Sequence, residues 1–233
     1  MTANARQPLL LIPGLSCDAS LWQAQVEGLG DVAEAQVGDT LSDDSIAHMA
    51  ERILLTAPQR FALAGFSMGG YVAMEIWRRA PGRVARLALL DTNGDADTPE
   101  MARVRRAAVS TARSRGYEAV LRGSLKRLVH DETPAPIAEA VIGMALSVGL
   151  ETYEDQQKAI IGRPDSRPDL ALVNVPALVL VGAEDRLTPP RYSQELAAII
   201  PGAQYRPVER AGHMAPMEQP EAVNDALRAW LAA

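Results

Sequence analysis

The chain has 233 residues, 48% of them hydrophobic and 22% charged, which excludes a disordered or fibrous protein. A net charge of −6 argues against nucleic acid as the main partner, and the single cysteine, Cys17, excludes an internal disulfide framework, a four-cysteine zinc site and a CxxC pair. No window reaches ~18 consecutive apolar residues, so no membrane span is expected; residues 1–7 with the short apolar run at 9–12 predict no signal-peptide core and a cytoplasmic protein.

Short apolar runs alternate with longer helix-like stretches, the pattern of an α/β protein whose mostly parallel sheet is covered by helices on both faces. In chain order the sequence predicts a strand at 9–12, a helix at 20–29 and a strand at 32–37. A helix follows through Ile46, Met49, Ala50 and Ile53, with Ser42 or Asp43 as its N-cap. Next come a strand at 61–64, a helix at 68–79 stopped by Pro81-Gly82, and a strand at 87–90. From Gly94 to about Leu170 the alternation lapses into helical pieces punctuated by Gly116, Gly149 and Gly162. The first is opened by Thr98 as cap and Pro99 in the first turn, and an apolar piece spans 136–148. Residues 94–170 are therefore expected to form a helical cap or lid inserted into one core made of 1–93 and 171–233. Strands at 177–181 and 204–208 and a helix at 220–231 complete that core.

Gly65-Phe66-Ser67-Met68-Gly69 fits G-x-S-x-G between an expected strand and an expected helix. A serine there sits on a sharp turn that flanking glycines permit, with its hydroxyl exposed beside the unpaired N–H groups of a helix N-terminus. A glycine-rich helix start with a capping serine would give the same letters. The hydroxyl becomes a nucleophile only with a base, and histidine oriented by a carboxylate is the usual one. His48 falls on the polar side of its helix and His130 in a polar, proline-bounded stretch. His213, beside Gly212 after the last strand, lies beyond both the serine and a strand-end acid. That acid is Asp185, with Glu184 and Asp91 as competitors. Gly14, Ser67, Asp91, Asp185 and His213 all follow candidate strands, where open α/β sheets bind ligands.

Four stretches carry a wider likeness: Leu10-Leu11-Ile12-Pro13-Gly14-Leu15, Gly65–Gly70, Gly182-Ala183-Glu184-Asp185 with Thr188-Pro189, and Gly212-His213 with Glu218-Gln219-Pro220. With the order serine, aspartate, histidine, they resemble the α/β-hydrolase superfamily over nearly the whole chain. The resemblance implies an α/β-hydrolase fold with a trimmed sheet of about six strands. It also implies Ser67 as nucleophile, His213 as general base and then acid, and Asp185 as the orienting carboxylate. The backbone N–H groups of Leu15 and Met68 would form the oxyanion hole. Two features depart from the pattern: Pro13-Gly14 stands where His-Gly is usual, and the two N-terminal strands that many relatives carry are not expected ahead of Pro8.

The implied activity is cleavage of a small carboxylic ester or lactone through an acyl-enzyme, with no cofactor and no metal. The segment 87–93 running into an Arg-bearing helical insertion is similar to the 3-oxoadipate enol-lactonases. Gly65–Gly70 is similar also to the cofactor-free haloperoxidase/perhydrolase group and to a lyase of menaquinone synthesis, so the same three residues could serve non-ester chemistry. A ligand-sensing protein with little turnover is a third reading. Within the insertion, Arg103 and Arg106 share a helix face that is either simply solvated or offers an arginine to a substrate carboxylate. Met144 and Tyr153 are candidates for an apolar pocket wall, with ordinary helix packing as the alternative. Cys17 reads as a small buried hydrophobe.

Overall fold

Along each inner strand, successive side chains enter opposite hydrophobic layers, as the two-residue period of a strand requires. The computed structural model describes residues 6–233, so the start of the segment bearing on a leader lies outside the described residues. Leu10 and Ile12 of β1 (Gln7–Ile12) join one layer while Leu9 and Leu11 join the other; Phe61 and Leu63 of β3 (Phe61–Phe66) likewise oppose Ala62, Ala64 and Phe66. The same division runs through β4 (Val84–Leu90) and β5 (Ala177–Gly182). With β2 (Ala33–Val37) and β6 (Gln204–Val208) at the edges, the six strands pair in the order β2-β1-β3-β4-β5-β6, every pair parallel.

Helices cover both faces. The short α1 (Gln23–Gly28) lies beside α11 (Pro220–Ala232), which follows the one-turn α10 (Ala215–Glu218) and sends Val223, Leu227 and Trp230 into one layer. On the other side lie α2 (Ile46–Thr56), α3 (Met68–Arg79) and α9 (Pro190–Ile199). Ile46, Met49, Ala50 and Ile53 of α2 are buried, as their spacing predicts. Two local readings change. The helix expected over 20–29 opens as a 3₁₀ turn, Ala19–Trp22, because the Asp18 carboxylate accepts the Ser20 N–H and tightens the start. The α2 cap is Ser45, whose hydroxyl accepts the His48 N–H; Ser42 donates instead to Asp39, and Asp43 is held by Arg52.

Between β4 and β5 run α4 (Pro99–Arg115), α5 (Tyr117–Leu128), α6 (Ala135–Val148), α7 (Leu150–Ile161) and α8 (Arg167–Leu170). Thr98 caps α4 by accepting the Met101 N–H, with Pro99 in the first turn. Ala112, Tyr117, Leu121, Ile142, Ala145 and Tyr153 form a core of this segment's own. Buried hydrogen bonds fasten it over the sheet edge: the Tyr117 hydroxyl lies 2.7 Å from Ser16 Oγ, and Gln156 accepts the Ser16 N–H at 2.8 Å while donating to the Thr40 carbonyl at 3.0 Å. Among the described residues, no single helix is long and apolar enough to cross a membrane.

Candidate active site

Because every strand points the same way, the loops after β1, β3, β4, β5 and β6 emerge along one edge of the sheet. Ser67 stands between β3 and α3 at φ 52° and ψ −116°, a conformation that side chains rarely adopt. Its backbone is pinned on both sides: its N–H donates to the Leu90 carbonyl at 2.9 Å, and its carbonyl accepts the Thr92 hydroxyl at 2.8 Å. Such strain costs about 1–3 kcal/mol and persists only where the surroundings enforce it. Gly69 belongs to that enforcement, since a Cβ there would lie 2.2 Å from the Ile12 carbonyl oxygen and push α3 off β1.

The turn aims Ser67 Oγ at His213 Nε2, 2.9 Å away, and His213 Nδ1 lies 2.8 Å from Asp185 Oδ2. With a carboxylate at Nδ1, that nitrogen holds the ring proton and Nε2 is left to accept from the serine hydroxyl. Asp185 and His213 are only 3% and 2% exposed, so water does not compete for these bonds. Asp185 also accepts the Leu187 and Thr188 N–H groups and the Thr188 hydroxyl. Burial works to raise its carboxyl, but the charge and hydrogen bond of His213 and the Thr188 bonds outweigh it and hold it below the ordinary carboxylate value. A hydroxyl in this chain can pass its proton to an imidazole whose positive form the carboxylate stabilises.

Of the three strand-end acids, Asp185 is the one bonded to the imidazole. Glu184 turns to the Ala211 N–H. Asp91 is fully buried; its Oδ1 accepts the Gly182 N–H at 2.8 Å and its Oδ2 has no partner among the described residues. Burial first, then the nearby Asp185 charge, push its carboxyl well above the usual range. One donor atom from each of Asp91, Asp185 and His213 falls within 4.8 Å of the others, close enough to share an ion. The bond between Asp185 and His213 already commits two of those three groups to holding a proton.

Leu15 and Met68, the residues expected to offer N–H groups to a developing oxyanion, both border the cavity that contains Ser67. Met68 opens α3, so its N–H has no partner within the helix. The loop carrying Leu15 passes so near that a Cβ on Gly14 would lie 3.2 Å from Ser67 Cβ. Strand ends, turn and hydrogen-bonded trio all agree with the sequence match, in which residues 9–226 fit the alpha/beta hydrolase family.

The chain belongs to that family.

This hydrolase is 25% identical to the pimeloyl-[acyl-carrier protein] methyl ester esterase of Vibrio campbellii, over 92% of this chain and 90% of the relative. A thermophilic esterase from Thermogutta terrifontis, solved with malate bound, is 33% identical with a TM-score of 0.88, covering 97% of this chain and 89% of its own. The enol-lactonase from Burkholderia xenovorans LB400 is 25% identical with a TM-score of 0.84, covering 100% of this hydrolase and 94% of that chain.

A cavity of about 290 Å³ opens over Ser67, between the sheet edge and the α4–α7 segment. Leu15, Met68, Met144, Tyr153 and His213 line it. Arg103 and Arg106 do not: both are exposed, and Arg103 pairs with Glu100 on its own helix. The arginine of α4 that does reach the wall is Arg105. Cys17 also lines the cavity, but it is buried, and that burial pushes its thiol up to about 12, so it stays protonated.

Two further residues shape the site. Thr188 bonds Asp185 and stands 3.2 Å from His213 Nδ1; its place in Thr188-Pro189 was the only sequence signal. Glu218 accepts the N–H groups of Gly212 and Met214, on either side of His213, and those of His130 and the Thr133 hydroxyl. It therefore holds the histidine loop against the α5–α6 connection; its place in Glu218-Gln219-Pro220 was the only sequence signal.

Proposed function

We propose that this hydrolase cleaves a small carboxylic ester or lactone, with Ser67, His213 and Asp185 acting as a catalytic triad. The observation that carries the reading is the unbroken hydrogen-bonded line from Ser67 Oγ through His213 to Asp185, opening into a small and largely apolar cavity. Ser67 attacks the carbonyl carbon as its proton passes to His213 Nε2. The oxygen that gains the negative charge is met by the Leu15 and Met68 N–H groups, which need no reorganisation to receive it. His213 then protonates the departing alcohol, leaving an acyl group on Ser67. Water, deprotonated by the same imidazole, releases the acid and restores the hydroxyl. Asp185 fixes the tautomer throughout and stabilises the imidazolium when it forms.

Ester cleavage is favoured over other uses of the trio by the named activities of the Vibrio, Thermogutta and Burkholderia relatives, all of which act on esters or lactones. The helices between β4 and β5 serve as the lid of this reading, since they supply most of the cavity wall. The test is a fluorophosphonate probe together with kcat/KM on a panel of esters, thioesters and lactones. Labelling confined to Ser67, turnover of esters or lactones, and a fall of ~10⁴ or more in kcat for Ser67→Ala are expected. Retention of most esterase activity by Ser67→Ala would overturn the assignment.

A further inference from the structure

The cavity wall is largely apolar, yet it carries one permanent cation. Arg105 lines it, and among the described lining residues there is no carboxylate at all. Arg105 donates through Nε and Nη2 to Asp97 and through Nη1 to Gln157 Oε1. A guanidinium has five N–H bonds, so two remain uncommitted among the described residues.

Asp97 does not neutralise this corner, because it serves two arginines. Arg163, 4% exposed, also donates to it at 2.5 Å. Two guanidinium groups, Arg163 buried and Arg105 half-buried, against one carboxylate leave one positive charge in excess. Of the other acids nearby, Asp95 pairs with Arg167 and offers Arg163 only its backbone carbonyl.

The rest of the corner is built of donors held in place. Arg163 stacks over the Tyr71 ring at 4.1 Å and approaches Asn93 Oδ1. Asn93 Nδ2 donates to the Tyr71 hydroxyl, so that hydroxyl keeps its own proton for another acceptor. Tyr71, Asn93, Arg105 and Gln157 all border the cavity that contains Ser67. Tyr71 sits one helical turn beyond the nucleophile, which ties the two ends of the cavity to one rigid element.

From this geometry we infer that the cavity is selective for esters carrying a free carboxylate at the end of the acyl chain, the hemiesters of small dicarboxylic acids. Arg105 is the residue that reads the carboxylate, with the Tyr71 hydroxyl beside it. Arginine suits the role because its planar fork can give parallel hydrogen bonds to both carboxylate oxygens. The inference rests on the hydrolase reading of Ser67 and adds the identity of the acyl part.

The experiment compares hydrolysis of monomethyl adipate with that of methyl hexanoate, equal in acyl length, by proton release in wild type, Arg105→Gln and Arg105→Lys. Wild type is expected to prefer the hemiester. The ratio of the two kcat/KM values should fall about 10- to 100-fold in Arg105→Gln and by less in Arg105→Lys, which keeps the charge but not the fork. Wild-type protein offers a second measure that needs no variant: adipate should inhibit more strongly than hexanoate, with an advantage that shrinks as salt is raised. A wild type that prefers methyl hexanoate, or variants that lower both esters equally, would overturn the inference while leaving the hydrolase reading intact. Loss of turnover on both esters without labelling of Ser67 would instead bring down the hydrolase reading, and this inference with it.

Discussion

Replacing Gly182 with alanine perturbs the trio without touching any of its side chains. Gly182 ends β5, three residues before Asp185, and its α-carbon faces the loop that carries His213. A Cβ there would lie 1.9 Å from the Gly212 carbonyl oxygen and 2.6 Å from that of Ala211. Both obstacles are backbone, so no side chain can swing aside. To reach the 3.0 Å below which Cβ contacts essentially never occur, strand end and loop must part by about 1 Å. That displacement falls between Asp185 Oδ2 and His213 Nδ1, now 2.8 Å apart. A misplacement of ~1 Å at reacting groups costs on the order of 10²-fold in rate, and overpacking of this kind costs about 1–3 kcal/mol. The expected result is a kcat on 4-nitrophenyl acetate lowered by about two orders of magnitude, with a fall in Tm of roughly 3–10 °C. Gly82→Ala is the control, since its Cβ would meet nothing within 4 Å. Gly182→Ala with wild-type kcat, whatever its Tm, would refute the claim that this contact sets the histidine.

Glu218→Ala should destabilise the fold by roughly 3 kcal/mol, because three backbone N–H groups lose their acceptor, and should lower kcat as His213 loosens; urea unfolding and kinetics check both. Asp91→Asn should stabilise the protein more at pH 8 than at pH 5. Burial and the nearby Asp185 charge hold the Asp91 carboxyl well above its unfolded value, so wild type loses stability as pH rises from the unfolded value toward the folded one, and asparagine removes that loss. An equal Tm difference at both pH values would contradict this. Asp185 acts with the opposite sign. Its lowered carboxyl contributes stability above the unfolded value and loses it as pH falls through the folded one, so Asp185→Asn should flatten the acid side of the Tm–pH curve.

Much of the architecture was legible because it depends on local pattern. Six apolar runs marked six strands, and the structure lengthens several by one to three residues where pairing with a neighbour continues past the apolar run. The G-x-S-x-G turn was readable because it needs particular residues at adjacent positions. The first helix and the α2 cap were misread for a related reason. Several short polar side chains competed for the same free N–H groups, and partners such as Arg52, farther along α2 itself, decided which were available.

Arg103 and Arg105 show where pattern fails. The helical period groups Arg103 with Arg106 on one face, and the structure leaves that face in solvent. Arg105, which no periodicity singled out, turns to the cavity because Asp97 and Gln157, 8 and 52 residues away, bind it there.

The sequence by itself determined the strand and helix succession, the strained serine turn and the candidate acids and base, since each follows from residues within a few positions of one another. Only the tertiary structure decided that Asp185 rather than Asp91 or Glu184 meets His213, that Glu218 holds the histidine loop, and which arginine borders the cavity. Those outcomes depend on angstrom-scale distances between segments that the parallel sheet brings to one edge, and spacing along a chain does not encode such distances.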